Sequence, residues 1–247
     1  MLNSLVTPRM RMFAGPNGSG KSTMKSVLKP ELLGAYINPD DIEKEIKKSS
    51  WLNFDDFNIK PTQEELTIFL KQSTLLEKAA LKDEIFHVRI AQNKNVVSFH
   101  DIEINSYWAS VMADFIRFQL LKTHQSFTFE TVMSSPDKVQ LLEKAKQLGY
   151  KTYLYYVATE DPSINIERVK NRVKEGGHNV PEDKIISRYH RSLDLLLDAV
   201  KQTNRAYLFD NSSEKLSLVA EITNGTIIEF KSEIQANWFE KAIIDKL

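Results

Sequence analysis

The chain has 247 residues, long enough to bury a large core and to form one α/β domain with an inserted subdomain. Basic and acidic residues number 33 each, so a formal net charge of zero provides no overall positive field to attract nucleic acid. The sequence has no cysteine, which excludes disulfides, zinc–thiolate sites and thiol nucleophiles.

The N-terminal residues 1–12 lack the continuous apolar core of a signal peptide. No stretch of the sequence approaches the roughly 18 consecutive apolar residues that are needed to cross a bilayer. We therefore expect a soluble protein with no membrane partner.

The first predicted strand, Arg11–Ala14, leads into a complete G-x-x-x-x-G-K-[ST] phosphate-binding loop. The loop, called the glycine loop below, consists of Gly15, Pro16, Asn17, Gly18, Ser19, Gly20, Lys21, Ser22 and Thr23. Its glycines let successive backbone N–H groups surround a phosphate, and Lys21 adds a positive charge between the β- and γ-phosphates. The Ser22 hydroxyl is placed to bind Mg²⁺, and a helix beginning near Lys21 directs its positive end at the phosphates. We therefore predict ATP and Mg²⁺ as cofactors, and the use of ATP favours the cytoplasm.

The second predicted strand, Ala35–Asn38, is followed by Asp40 and Asp41. A carboxylate at this position can accept the proton of a substrate hydroxyl, and we assign this role to Asp40 and substrate binding to Asp41. Alternatively, one of the two aspartates caps the helix Ile42–Lys47, because aspartate is a preferred N-cap residue.

A segment at about residues 50–106 interrupts the alternation of strands and helices, and we interpret it as an insertion. Its main feature is a helical pattern over Thr62–Lys82, where Thr62 and Glu65 form a capping-box signature. A second helical pattern, Tyr107–Lys122, leads back into the sheet.

The third predicted strand, Phe127–Glu130, is followed by Thr131. A carboxylate that emerges from a central strand can hold a Mg²⁺-bound water or a substrate hydroxyl, so we predict that Glu130 and Thr131 bind substrate. The alternative is that Glu130 only caps the end of the strand.

A basic stretch, residues 167–191, follows the fourth predicted strand, residues 152–158. Arg168 and Arg172 lie four residues apart on one helix face, and Gly176-Gly177 is a candidate hinge for a lid over the triphosphate that includes His178. Closure of this lid would bring arginine to the transferring phosphoryl group. The alternative is a solvated basic helix.

The remaining elements complete an alternating α/β pattern. They are a strand at 206–210, a hairpin at 219–222 and 226–230 around Asn224-Gly225, and a closing helix at 233–246. The alternation predicts an α/β fold with a parallel sheet flanked by helices, a helical insertion and a C-terminal β-hairpin plus helix. We interpret residues 1–247 as a single domain of this kind.

Four segments in this order resemble the zeta-toxin family of small-molecule kinases, especially its broad bacterial branch. The segments are the glycine loop, residues 37–42, residues 127–131 and residues 168–191. The resemblance implies a P-loop NTPase fold of the kinase type, in which Lys21 holds the nucleotide, Asp40 is the general base and Arg168 contacts the phosphates.

Zeta toxins phosphorylate the 3′-hydroxyl of UDP-N-acetylglucosamine or related UDP-amino sugars. The resemblance therefore implies phosphoryl transfer to a hydroxyl of a small metabolite, and a protein antitoxin as partner. The family has a second phosphate-contacting arginine where this chain places His178, and its segment before Glu130-Thr131 differs from the long insertion. The insertion and Tyr107–Lys122 are the expected acceptor pocket, with Asp114 as a candidate contact.

A different class of function is a regulatory P-loop ATPase or nucleotide-binding module that acts through a protein partner. An ABC-type transport ATPase is a poorer fit, because the sequence has no L-S-G-G-Q-like signature. A polynucleotide kinase is disfavoured by the neutral charge balance.

Overall fold

The structure is a computed structural model that describes residues 7–91, 94–233 and 236–247. Residues 1–6, which belong to the segment considered above for a signal peptide, lie outside the described residues. So do residues 92–93 of the insertion and residues 234–235 of the predicted closing helix. Within the described ranges, no helix is both long and apolar enough to cross a membrane.

Strands and helices alternate along most of the chain. The strands are β1 (Arg9–Ala14), β2 (Ala35–Ile37), β3 (Trp51–Asn53), β4 (Arg89–Ile90), β5 (Val96–Ser98), β6 (Phe127–Thr131), β7 (Lys151–Ala158), β8 (Arg205–Asp210), β9 (Ser217–Thr223) and β10 (Ile227–Phe230). The α-helices are α1 (Pro39–Ser49), α2 (Gln63–Gln72), α3 (Thr74–Lys78), α4 (Ser106–Lys122), α5 (Asp137–Gln147), α6 (Pro162–Lys174), α7 (Glu182–Asp194), α8 (Leu196–Lys201) and α9 (Asn237–Ala242).

The chain divides into two compact units, residues 1–33 with 128–247, and residues 34–127. The strands of the first unit lie in the order β10-β9-β8-β7-β1-β6. β1, β7 and β8 are parallel, whereas β9 and β10 are antiparallel to their neighbours. Because the carboxyl ends of parallel strands meet at one edge, the glycine loop, Thr159 and Asn211 emerge side by side.

Apolar side chains of β1 and β7 form the centre of this sheet. Met12 and Phe13 of β1 are fully buried, as is Tyr156 of β7. The Tyr156 ring packs against Trp238 of α9, and its hydroxyl lies 3.0 Å from the Ser192 hydroxyl of α7. Burial of the Tyr156 phenol raises its pKa above the ordinary value. The helices α7 and α9 thus pack on the face of the sheet that carries the Tyr156 side chain.

The predicted α/β fold with a mostly parallel sheet is confirmed. All five predicted strands are present and differ from the prediction by one or two residues at their ends. The hairpin around Asn224-Gly225 is confirmed as β9 and β10. The helix after the glycine loop is a 3₁₀ segment, Lys21–Val27. The closing helix is shorter than predicted, with α9 followed by a 3₁₀ turn, Ile244–Lys246.

The second unit spans the whole of the predicted insertion, residues 50–106. The capping box of Thr62 and Glu65 is confirmed at the start of α2. A continuous helix over residues 62–82 is wrong, because Ser73 is extended and its side chain caps a separate helix, α3. The strands β3, β5 and β4 form a small sheet in that order. Strands of two or three residues are too short to produce an alternating pattern, so the sequence analysis missed them.

Candidate nucleotide-binding site

The glycine loop passes very close to two neighbouring segments of the first unit. A Cβ atom added to Gly18 would lie 2.5 Å from the Asn165 carbonyl oxygen, and one added to Gly20 would lie 2.3 Å from the Asn211 Nδ2 atom. Both glycines also have positive φ angles, of 76° and 98°. Only glycine satisfies the space and the backbone conformation at these positions.

Two asparagine side chains bind carbonyl oxygens of this loop. Asn165 Nδ2 donates to the Asn17 carbonyl at 2.6 Å, and Asn211 Nδ2 donates to the Ser19 carbonyl at 2.8 Å. Asn165 is fully buried in the first turn of α6, and its Oδ1 accepts a hydrogen bond from the Thr159 hydroxyl. The sequence analysis did not single out Asn165, because one asparagine in a helix carries no motif.

Lys21 and Ser19 provide polar groups suited to phosphate. The Lys21 ammonium donates to the carbonyls of Gly15 and Pro16, at 2.9 and 2.8 Å, so it lies over the start of the loop. The Ser19 hydroxyl oxygen is buried and has no hydrogen-bond partner among the described residues. Ser22 and Thr23 are exposed on the 3₁₀ segment. A buried unpaired hydroxyl beside a lysine ammonium matches the donors that a polyphosphate requires.

Arg168 lies beside the segment that follows β8. Its Nη2 donates to the Ser213 carbonyl at 3.4 Å, two residues beyond the Asn211 that binds the glycine loop. Its Nη1 is buried and has no hydrogen-bond partner among the described residues. The guanidinium therefore keeps one donor for an additional anionic group.

Arg172 resembles Arg168, because its Nε atom is also buried and has no hydrogen-bond partner among the described residues. Its Nη2 donates to the His178 carbonyl at 2.7 Å, while the His178 side chain is exposed. The N–H groups of Gly176 and Gly177 bond to the carbonyls of Val173 and Arg172 at the end of α6. Gly176 and Gly177 therefore terminate α6, and their role as a lid hinge stays a prediction.

The helix α7 also reaches the glycine loop. Arg188 Nη1 donates to the Asn17 Oδ1 atom at 3.4 Å, and the Tyr189 hydroxyl donates to the Thr159 carbonyl at 2.6 Å. Burial is the main cause that raises the pKa of the Tyr189 phenol above its ordinary value, so it remains a hydrogen donor. At least part of the predicted basic stretch is thus engaged with the loop rather than solvated.

Glu130 and Thr131 end β6 in the first unit. Glu130 is buried with 6% of its surface exposed. The Thr131 hydroxyl accepts a hydrogen bond from the Met133 N–H at 3.1 Å, so Thr131 organises the turn after the strand. The substrate-binding role of both residues stays a prediction.

In the second unit, Asp40 and Asp41 lie in the first turn of α1. The N-cap is Asn38, whose Oδ1 accepts the Asp40 N–H at 2.9 Å. The alternative that an aspartate caps this helix is therefore wrong. Both side chains are exposed, and their catalytic and substrate-binding roles stay predictions.

Asp114 of α4 is ion-paired with Arg117. It lies at a cavity of about 290 Å³ within the second unit. The other residues of the cavity wall are Phe69, Gln72, Ser73, Thr74, Leu75 and Val111. The insertion and the helix after it thus share a cavity, as an acceptor pocket requires, and its use stays a prediction.

Comparisons with known proteins show similarity to one family model and to the fold of several solved structures. Residues 104–216 match the model of the Zeta toxin family. Crystal structures of AvrRxo1-ORF1:-ORF2 with ATP have the same fold, with a TM-score of 0.55, 14% identity, and coverage of 96% of this chain and 64% of that chain. The resemblance to the zeta toxins is confirmed.

Two further comparisons extend this result. A structure of the PezAT chromosomal toxin–antitoxin system of Streptococcus pneumoniae matches with a TM-score of 0.53, 13% identity, and coverage of 98% of this chain and 80% of that chain. An uncharacterized protein of Haemophilus influenzae is 36% identical over 69 residues, which are 28% of this chain and 49% of that protein. The chain thus spans about half the length of this curated relative and under two thirds of the AvrRxo1 chain.

The match to the Zeta toxin family model covers only residues 104–216 of the chain. It includes Glu130, Arg168, Arg172 and His178, as well as the Asn165 and Asn211 that contact the glycine loop. It does not include the glycine loop itself or Asp40. Nucleotide binding is therefore inferred from the sequence and geometry of the glycine loop. The likeness to zeta toxins is inferred from residues 104–216, which include the two asparagines that contact this loop.

Proposed function

We propose that this zeta-toxin-like chain is an ATP-dependent phosphotransferase that acts on a hydroxyl of a small metabolite. The observation that carries the proposal is the glycine loop, whose carbonyls are bound by Asn165 and Asn211. The Ser19 hydroxyl of this loop and the Arg168 Nη1 atom are buried donors without hydrogen-bond partners among the described residues. Such donors are costly to bury unless a ligand uses them.

Each residue of the first unit has a definite task in this proposal. Lys21 holds the phosphates after its ammonium leaves the carbonyls of Gly15 and Pro16, and Ser22 holds Mg²⁺. Arg168 and Arg172 stabilise the negative charge that develops on the transferred group. ATP supplies the phosphoryl group, and Mg²⁺ neutralises part of its charge when bound. Within the described part of the chain, no group of three or more His, Asp or Glu side chains forms a separate metal site.

On the acceptor side, we assign the general base to Asp40, which would take the proton from the attacking hydroxyl. Asp41, Glu130, Thr131 and Asp114 are the proposed substrate contacts. UDP-amino sugars such as UDP-N-acetylglucosamine are the first acceptors to test, because the zeta-toxin likeness favours them. The amide and hydroxyl groups on the wall of the cavity beside Asp114 suit a hydroxyl-rich ligand.

The decisive experiment incubates the purified protein with Mg-ATP and either UDP-N-acetylglucosamine or a metabolite extract. Mass spectrometry then searches for a product that has gained one phosphate. Lys21→Ala is the inactive reference, and Lys25→Ala is the matched control, because Lys25 is an exposed lysine on the same 3₁₀ segment. We expect a phosphorylated product with the unmodified protein and Lys25→Ala, but not with Lys21→Ala.

The alternative of a regulatory ATPase gives a different outcome in the same experiment. ATP would be bound or hydrolysed, but no metabolite would gain phosphate. The PezAT system pairs a toxin with an antitoxin, and AvrRxo1-ORF1 is crystallised with ORF2. We therefore propose a protein antitoxin as partner, which should form a complex that survives size-exclusion chromatography and suppresses the transfer.

A further inference from the structure

Alternate carbonyls of the glycine loop are bound by side chains from two different places in the chain. Asn165 belongs to the first turn of α6 and binds the Asn17 carbonyl at 2.6 Å. Asn211 follows β8 directly and binds the Ser19 carbonyl at 2.8 Å. Both donors are side-chain amides, which are uncharged and keep the same hydrogen-bonding capacity at all ordinary pH values.

These two hydrogen bonds also determine where two backbone N–H groups point. The described peptide bonds are all trans, and in a trans peptide unit the C=O and the N–H point in opposite directions. The Asn17 carbonyl shares its peptide unit with the Gly18 N–H, and the Ser19 carbonyl shares its unit with the Gly20 N–H. The Gly18 N–H therefore points away from Asn165, and the Gly20 N–H points away from Asn211. Neither N–H donates to a backbone carbonyl elsewhere in the described residues.

We propose that Asn165 and Asn211 are positioning residues that aim the Gly18 and Gly20 N–H groups at a bound polyphosphate. The inference rests on the proposed binding of nucleotide, but it is independent of the acceptor and of the transfer step. The ligand that these N–H groups would bind is the di- or triphosphate group itself, whatever base is attached to it.

The surroundings fix the orientation of the Asn165 amide and the backbone position of Asn211. The Oδ1 atom of Asn165 accepts from the Thr159 hydroxyl, so its Nδ2 must face the glycine loop. Thr159 is held in turn by the Tyr189 hydroxyl, which donates to its carbonyl at 2.6 Å. Asn211 is held by its own backbone N–H, which donates to the Ala158 carbonyl at 2.8 Å.

Replacement of each asparagine by aspartate tests orientation rather than packing. The side chain keeps nearly the same shape, but an oxygen replaces the NH₂ group and faces a carbonyl oxygen, which favours a turned peptide unit. Asn204→Asp is the matched control. Asn204 precedes β8 at its opposite end and uses its Oδ1 as an acceptor for the Thr152 N–H at 2.9 Å, and aspartate keeps that acceptor. Asn165→Ala and Asn211→Ala serve as second variants if a buried aspartate prevents folding.

Isothermal titration calorimetry with Mg-ADP and with inorganic tripolyphosphate gives the readout, together with melting temperatures with and without ADP. We expect Asn165→Asp and Asn211→Asp to weaken the binding of both ligands by about tenfold or more. In each variant the ligand loses one hydrogen bond from a glycine N–H to a charged phosphate oxygen. In a transfer assay, KM for ATP should rise by more than kcat falls. Asn204→Asp should change neither affinity.

Unchanged affinities for both ligands, with only lower melting temperatures of the free protein, would overturn the proposal and leave a structural role. Weakened ADP binding with unchanged tripolyphosphate binding would also overturn it, because the effect would then come from the base or ribose. Normal tripolyphosphate binding by the unmodified protein without any phosphoryl transfer would remove the proposed function and leave this inference standing.

Discussion

The two units of the chain differ in how their predicted functional residues are held. In the first unit, the loop that contains Lys21 is fixed by Asn165 and Asn211, and two of its glycines are in close contact with those residues. In the second unit, Asp40 is exposed in a helical first turn, and Asp114 is ion-paired within its own helix. Phosphate binding needs fixed backbone groups, which a motif encodes, whereas acceptor recognition needs a pocket shape, which no short motif encodes.

The most severe test of the first unit is Lys21→Ala, for which we expect loss of nucleotide-dependent activity in a folded protein. The ammonium donates to the loop carbonyls of Gly15 and Pro16, and the half-buried side chain is not among the apolar core residues of the described chain. ATP affinity, turnover and the circular-dichroism melting curve are the measurements. Near-normal affinity and turnover in this variant would remove the basis for assigning the loop to nucleotide.

The second prediction tests the second unit. Asp40→Asn should lower turnover by about two to four orders of magnitude with little change in ATP binding, the range for a lost general base. Asp41→Asn is the matched control, because both residues lie exposed in the first turn of α1. Each loses a similar favourable interaction with the helix dipole, of about 0.3–1 kcal/mol, so a difference in turnover reports chemistry. If Asp41→Asn has the larger effect, Asp41 is the base.

The third prediction returns to the first unit. Arg168→Ala should lower kcat by about tenfold or more and weaken ATP binding less, because a contact that strengthens as charge develops acts mainly in the transition state. Lys170→Ala is the matched control, since Lys170 lies on the same helix and its ammonium pairs with Glu182 at 2.7 Å. Equal losses in kcat for both variants would indicate a general charge effect of the helix.

Hydrogen exchange provides a fourth, smaller test of the same region. If the predicted lid closes, amides around Gly176 and Gly177 should become more protected when a non-hydrolysable ATP analogue is added, because phosphate charge offsets the repulsion between the cations. The amides of β7 serve as the internal reference. Equal exchange with and without the analogue, together with an unaffected kcat of Arg168→Ala, would identify the segment as a solvated basic helix.

The sequence was sufficient for the features that local patterns encode. Apolar runs predicted the five strands, and the glycine loop was recognised from its spacing. Asn165 was missed because its partner, Asn17, lies 148 positions away, and no local pattern marks such a pair. The break at Ser73 was missed because the apolar spacing continues through it, whereas the Ser73 side chain caps the helix that follows. Long-range polar contacts and single capping bonds therefore limited the prediction more than the apolar pattern did.

The smallest expected effect concerns the capping box of the second unit. The Thr62 hydroxyl accepts the Glu65 N–H at 3.2 Å, and Glu65 Oε2 accepts the Thr62 N–H at 2.8 Å. Thr62→Ala should lower the free energy of unfolding by about 1 kcal/mol, measured by urea denaturation, whereas Thr62→Ser should be nearly neutral.

The same variant separates the two units by function. Lys122 and the Thr62 N–H hold the pKa of Glu65 below its ordinary value, so the stabilisation by Glu65 is present above pH 4.5 and is lost as the pH falls through the lowered pKa. Both proteins should therefore lose this stabilisation in acid, because Thr62→Ala keeps Lys122 and the backbone N–H at position 62. ADP affinity should be the same in both proteins, because every contact that we assign to the phosphates lies in the first unit. A weaker affinity in Thr62→Ala would contradict that assignment, since this substitution changes only the start of α2.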